Sequence, residues 1–242
     1  MFRPRLLIAT LMLTACEFGI QVDHQSGVAS EAPRPPDLSI EWFEGSIAAA
    51  FESAKSEAKP LFLYWGAVWC PPCQEIKYTV FKSQEFIQLT RLFVPVYLDG
   101  DSDEAQAWGE KLDVMGYPTM IVFNPAGVEI TRIPGGIDIS RYNTVLELSL
   151  NQMRSTADLV QIALEDSMRL SPEEFYQLAY YSWFQDTSAV PEGVDKTDLF
   201  LGLSTSAPEG ELSNRFYMSY LLALTGKDDI EGADQGHLRA DL

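Results

Sequence analysis

The sequence predicts an α/β protein: a mixed sheet with helices on both faces, followed by an α-helical C-terminal region. Three observations predict it. Apolar runs at 61–67, 92–99 and 116–124 alternate with stretches of helical periodicity. A turn signal, "NPAG", joins the third run to "VEITRI", which alternates as a hairpin partner does. After about residue 150 the strand-like runs cease and helical spacing takes over.

The elements follow in order. "SIAAAFESAKSEA", 46–58, places Ile47, Ala50, Phe51, Ala54 and Ala58 on one helical face, and Lys59-Pro60 ends it. "LFLYWGA" is continuous, as in a strand buried on both faces. A helix starting at Cys70 tolerates the prolines of its first turn and runs to about Phe81. Ser83 can cap a short helix to about Leu89. "LFVPVYLD", 92–99, is the next strand, short of one donor at Pro95. "DGDSD" turns into the helix "EAQAWGEKL". "GYPTMIVFN", 116–124, is a strand with proline at its entrance, "VEITRI" pairs with it, and Gly135-Gly136 leads to a helix from about Asp138. The first strands need a parallel crossover and the last two an antiparallel turn. Beyond 150, helices are expected at 155–170, at 171–186 with Ser171, Pro172 and Glu174 forming its N-terminus, and at 211–225 with Gly226 ending it. The Tyr, Phe and Met residues there have core spacing, and the last residues are polar.

The chain has 242 residues, 46% hydrophobic, enough for a sizeable core in one or two domains. Its formal charge of −18 excludes nucleic acid as a partner, because phosphates would be repelled. "MFRPR" followed by "LLIATLML" is a basic segment and an apolar one too short to span a bilayer. The following "LTAC" resembles the lipobox of bacterial lipoproteins. That resemblance implies a signal peptide at 1–15, lipidation of Cys16, a flexible tether at 16–38 and a periplasmic protein lipid-anchored to the inner or outer membrane. Glu17, in place of the aspartate that favours inner-membrane retention, leans towards the outer one. The organisation expected is therefore signal peptide 1–15, tether 16–38, α/β domain 39–150 and helical region 151–242.

With Cys16 lipidated, Cys70 and Cys73 of "WCPPC" stand alone, in a compartment where disulfides persist. A zinc site needs four ligands, and His24 and His237 lie in the tether and the tail, so no metal is expected. A staple across so short a loop removes little unfolded-state entropy. A thiol–disulfide centre fits best: one cysteine at a helix start, where dipole and free N–H groups favour a thiolate, and a second one turn on.

"WCPPC" after an apolar strand, with "GYPT" about 45 residues later, resembles the thioredoxin superfamily. "EAKPLFLYWGAVWCPPC", "FVPVYLDGD" and "GYPTMIVFNPAGVEITRIPGG" are similar to extracytoplasmic thioredoxin-like proteins related to the C-terminal domain of DsbD, over about residues 40–150. The resemblance implies a thioredoxin-like fold and a thiol:disulfide oxidoreductase that needs no cofactor. In it Cys70 is the exposed nucleophile and Cys73 the resolving thiol. Trp69 packs beside them, and Tyr117 with a cis Pro118 meets the substrate peptide. The partners implied are protein disulfides and a membrane electron donor of the DsbD type. The sequence departs from the family where a buried acid is usual: Tyr64 stands six residues before Cys70, and Lys77 stands where the DsbD domain has a second acid. Pro71 and Pro72 offer no N–H to the Cys70 sulfur, which favours a reductant. A disulfide oxidant or isomerase, and a non-catalytic binding or assembly module, are the alternatives.

Overall fold

A computed structural model describes residues 39–225, apart from residues 136, 152, 153 and 187. The expected signal peptide and tether, with Cys16 and His24, lie outside the described residues, as do Gly136, Gly226 and His237. The described strands are β1 (Leu61–Gly66), β2 (Val94–Asp99), β3 (Thr119–Phe123) and β4 (Glu129–Pro134), in the order β2-β1-β3-β4. β1 is parallel to β2 and antiparallel to β3, and β3 is antiparallel to β4. The central strands β1 and β3 are buried along their whole length, which is why their sequences are unbroken apolar runs. Pro95 sits in β2, at the sheet's edge, and its carbonyl turns outward to accept from Phe43 N–H at 2.7 Å. A strand residue aims its N and O to the same side, so the missing donor costs the β1–β2 ladder nothing.

The helices of this half are α1 (Ile47–Glu57), α2 (Pro71–Tyr78), α3 (Gln84–Thr90), α4 (Asp103–Lys111) and α5 (Ile139–Leu150). Ser46, Ser83, Ser102 and Asp138 cap α1, α3, α4 and α5, each accepting a first-turn N–H. The helix expected over 70–81 stops earlier. Thr79 turns its hydroxyl onto Glu75 O, and residues 80–82 form a separate 3-10 turn.

Alternation along β1 splits the core between the two faces. Leu61, Leu63 and Trp65 pack with Val94, Val96, Leu98, Ile121 and Phe123 under α1 and α4. Phe62 and Tyr64 face the other way and join Met120, Val122 and Ile133 under α2, α3 and α5. This second cluster continues without a break into the C-terminal region through Val160, Phe175, Leu178, Phe200 and Phe216. The change of composition near residue 150 is thus a change from α/β to all-α around one core. The described residues belong to one compact unit.

The C-terminal helices are α6 (Thr156–Asp166), α7 (Pro172–Ala179), α8 (Lys196–Ser206) and α9 (Glu211–Thr225). Ser171 and Glu174 make the expected capping box. The helix expected to reach 186 ends at Ala179: the backbone N–H of Ser182 bonds Arg132 O of β4 instead of continuing the helix, and the Trp183 indole donates to Leu178 O. Ile130 O of the same strand accepts from Thr156 Oγ1 and Gln177 Nε2. The helical region therefore closes the free edge of β4, the position at which an open sheet would recruit another chain. α8 is not among the helices the sequence pattern predicts.

Candidate active site

The buried strand β1 delivers the chain to residues 67–70, and α2 begins at once. Cys70 is the N-cap, Pro71 and Pro72 fill N1 and N2, and Cys73 is N3. Gln74 fastens the approach by donating Nε2 to Ala67 O and Val68 O at 3.2 and 3.0 Å. Cys70 and Cys73 are joined as a disulfide with Cα atoms 5.2 Å apart. Cys73 N–H donates to Cys70 Sγ at 3.2 Å, the contact an N-cap oxygen would receive. Pro71 and Pro72 have no N–H to add to it. The resemblance implies an exposed Cys70. In the disulfide form Cys70 is only 4% exposed and Cys73 0%, because Ala67 and Tyr117 pack against the pair. Pro71 and Pro72 form the exposed rim instead.

Trp69 is 64% exposed, so it does not belong to the core. Its Nε1 donates to the Asp101 carboxylate at 2.8 and 3.1 Å, and its ring meets Tyr117 edge-on at 6.0 Å. Tyr117 donates its hydroxyl to Gly100 O at 2.9 Å and accepts from Gln106 Nε2. Gly100 lets the Tyr117 ring lie directly against the turn, since an added Cβ would stand 2.3 Å from it. The Tyr117–Pro118 peptide is cis. Gly135, just past β4, lets the chain approach Pro118, whose Cγ would stand 2.7 Å from an added Cβ. Trp69, Tyr117, Pro118 and the cysteine pair are therefore gathered at one end of the sheet. Asp101, Gly100 and Gly135, in turns, and Gln74, in the first turn of α2, complete the frame and carried no signal beyond those places.

Beneath the pair Tyr64 is fully buried and donates its hydroxyl to Cys73 O at 3.4 Å. Burial, reinforced by the neighbouring Tyr97 and Tyr142, pushes this hydroxyl well above the usual phenol range. Lys77 lies with its ammonium 4.8 Å from the Tyr97 ring centre, a cation–π contact that holds it on that ring. Glu75 is exposed. Among the described residues no three His, Cys, Asp or Glu side chains gather as metal ligands would, and no helix is long and apolar enough to cross a membrane.

Residues 47–149 match the family model of the thioredoxin-like domain. A curated relative, the thiol:disulfide interchange protein DsbD of Photorhabdus laumondii, is 34% identical over 93 residues. That match covers 37% of this chain and only 16% of the relative. Among solved structures, a thioredoxin from Thermus thermophilus is 22% identical with a TM-score of 0.42, covering 46% of this chain and 88% of its own. The oxidised C-terminal domain of Neisseria meningitidis DsbD is 23% identical with a TM-score of 0.37, covering 44% of this chain and 91% of its own. The matched family segment ends before the helical region begins its course through α6 to α9.

Proposed function

We propose, from the premise that residues 47–149 are a domain of the thioredoxin superfamily, that this protein is a thiol:disulfide oxidoreductase that reduces protein disulfides outside the cytoplasm. One observation carries the reading: Cys70 caps α2, and its sulfur receives the Cys73 N–H at 3.2 Å while disulfide-bonded to Cys73. A first-turn N–H and the helix dipole both favour negative charge on that sulfur. The interchange chemistry in the name of the DsbD relative supports the same class of reaction.

In the reduced protein the Cys70 thiolate attacks one sulfur of a substrate disulfide. A Cys70–substrate mixed disulfide forms, and the substrate's other sulfur leaves as a thiolate that takes a proton from solvent. Cys73, deprotonated, then attacks Cys70 Sγ. The mixed disulfide breaks, the second substrate thiolate leaves, and the Cys70–Cys73 bond of this structure is restored. Two electrons have passed to the substrate, and a dithiol donor of the DsbD type returns them. Trp69, Tyr117 and Pro118 form the surface that the substrate chain meets.

Electron flow towards substrate is supported by Pro71 and Pro72. Of the first-turn positions only Cys73 supplies an N–H to Cys70 Sγ, so the thiolate is less stabilised than at an ordinary helix start and the disulfide is favoured. Lys77 is engaged by Tyr97. The "LTAC" segment supports a lipid anchor on Cys16 in the inner or outer membrane.

Trapping tests the chemistry. Cys73→Ser should accumulate long-lived mixed disulfides with protein substrates and Cys70→Ser should not. Accumulation on Cys73 alone would reverse the roles. A reduction potential nearer about −270 mV than about −120 mV is expected, and one above about −150 mV would make the protein an oxidant. Cys16→Ser should release the protein from the membrane fraction, and unchanged association would refute the anchor.

A further inference from the structure

We propose that the helical region gives the cysteine pair a substrate groove of its own, which takes an extended polypeptide segment bearing large apolar side chains next to the disulfide to be reduced. The inference rests on the oxidoreductase reading and names its substrate class.

The groove has a volume of about 890 Å³. Its lining joins Pro72 of the C-P-P-C turn and Pro118 to Trp183, Phe184, Met218 and Leu222 of the helical region. It is therefore continuous with the redox site, while most of its apolar wall comes from outside the thioredoxin-like segment 47–149. Three of these side chains are solvent-exposed to an unusual degree for their size: Phe184 59%, Met218 56% and Leu222 50%. Single exposed apolar residues need no explanation, but three around one concavity mark a surface built to be covered.

The wall is held in place before any ligand arrives. Ser182 N–H bonds Arg132 O of β4, and Trp183 donates to Leu178 O while its ring packs against Tyr181 and Phe200 at 4.9 and 5.2 Å. Arg215 donates Nε to Ala179 O and lies 4.0 Å over the Tyr180 ring. Such a preformed apolar concavity with a few polar groups is what a binding site requires.

Position selects a polypeptide over a small molecule, because a concavity lined by Pro72 and Pro118 meets the chain that flanks the disulfide being reduced. A second hollow of about 690 Å³ is also lined by Trp183, Phe184 and Leu222, together with Val194 and Phe200. Charge agrees. The chain carries −18 overall, but at this groove the Glu211 carboxylate is already engaged by Arg141 at 2.6 Å and by the Tyr180 hydroxyl. The occupant is thus selected by apolar contact rather than by attraction of a basic segment to a free acid.

The test uses the full-length protein and three disulfide probes: a disulfide-linked peptide flanked by Leu and Phe, the same peptide flanked by Ser and Gly, and glutathione disulfide. For Met218→Glu and, separately, Phe184→Ser, the ratio of kcat/KM for the apolar peptide to that for glutathione disulfide should fall about tenfold, the effect of one lost large apolar contact. The affinity of the apolar peptide with serine in place of its cysteines, read by tryptophan fluorescence without turnover, should fall by a similar factor. An unchanged ratio, equal loss on all three probes, or no binding of the serine peptide would overturn the groove. So would tenfold tighter binding on deletion of residues 226–242, which would make the chain's own end the occupant. Loss of a dimer in Met218→Glu would likewise overturn it in favour of a second copy. Binding of the serine peptide without turnover of any probe would leave the groove standing and refute the oxidoreductase reading instead.

Discussion

Replacing Pro72 by Ala should measurably raise the reduction potential of the Cys70–Cys73 couple. Pro72 occupies N2 of α2, and an N-cap group ordinarily accepts from the N–H of N2 or N3. At present Cys70 Sγ receives only the N3 donor, Cys73 N–H, at 3.2 Å. Alanine at 72 adds the N2 donor without disturbing the core, since Pro72 is exposed. A hydrogen bond to a charged group contributes about 1.5–3 kcal/mol. The sulfur is charged only in the reduced protein, and a disulfide sulfur is a weak acceptor, so nearly all of the gain falls on the reduced side. At about 1.4 kcal/mol per 30 mV for a two-electron couple, the potential should rise by about 30–60 mV. That is a sizeable part of the roughly 150 mV between thioredoxin and DsbA. The sign is fixed: stabilising the thiolate makes the couple more oxidising.

The assay is redox equilibration against glutathione with the two forms separated after acid quenching, run at an alkaline pH where the reduced Cys70 is ionised and the full shift appears. Alkylation of reduced Cys70 at mildly acidic pH should also quicken, because more of it is thiolate. Pro71→Ala is the control. It sits at N1, whose N–H points along the helix axis rather than back at the cap, and its potential should move much less. A change below about 10 mV in Pro72→Ala, or an equal change in Pro71→Ala, would refute the claim that missing backbone donors set the direction of electron flow.

Three further outcomes follow from buried groups. Burial raises the Tyr64 and Tyr181 hydroxyls far above the ordinary phenol value, so both stay neutral in the folded protein where the unfolded chain would ionise. A raised acid pKa contributes stability that is present below the unfolded value and lost as pH rises past it, so unfolding free energy should fall above about pH 10, less steeply in Tyr64→Phe. A neutral Tyr64 cannot accept a proton, so Tyr64→Phe should leave the pH profile of disulfide reduction in place between about pH 6 and 9, and a displaced profile would show that the hydroxyl handles the proton. Gln177→Ala removes the donors to Ile130 O and Arg154 O at a fully buried position and should cost about 2–4 kcal/mol in urea unfolding. A cost under about 0.5 kcal/mol would mean that closing the β4 edge adds nothing to stability.

The parts of this architecture that local chemistry decides were readable in the chain. β1 and β3 are unbroken apolar runs because both faces of the sheet are covered, and Ser83 and Ser171 announce their helices by side-chain geometry. "WCPPC" places a sulfur at a helix start because proline is tolerated in a first turn, and the strand before it leaves nowhere else for the pair to go. What was not readable depends on partners distant in sequence. α8, "KTDLFLGLSTS", is rich in Thr, Ser and Gly, which are weak helix formers, and it is held by Leu199, Phe200 and Leu203 entering a core already assembled from other elements. α7 stops at Ala179 because β4 offers Ser182 a carbonyl, which no local pattern encodes.

The same dependence hid the groove. Pro72 and Pro118 are visible as turn residues, and Phe184, Met218 and Leu222 look like ordinary helical-region apolars at core spacing. The Ser182 bond to the β4 edge brings Trp183 and Phe184 to the same concavity as Pro72, and α9 adds Met218 and Leu222 there, outside the core they were expected to join. The edge closure and the groove are therefore one structural fact. A thioredoxin-like sheet with β4 left open would have neither the stability supplied by Gln177 and Thr156 nor a wall opposite Pro118. Changes that loosen the edge, such as Gln177→Ala, should consequently also blunt the proposed preference for apolar substrates.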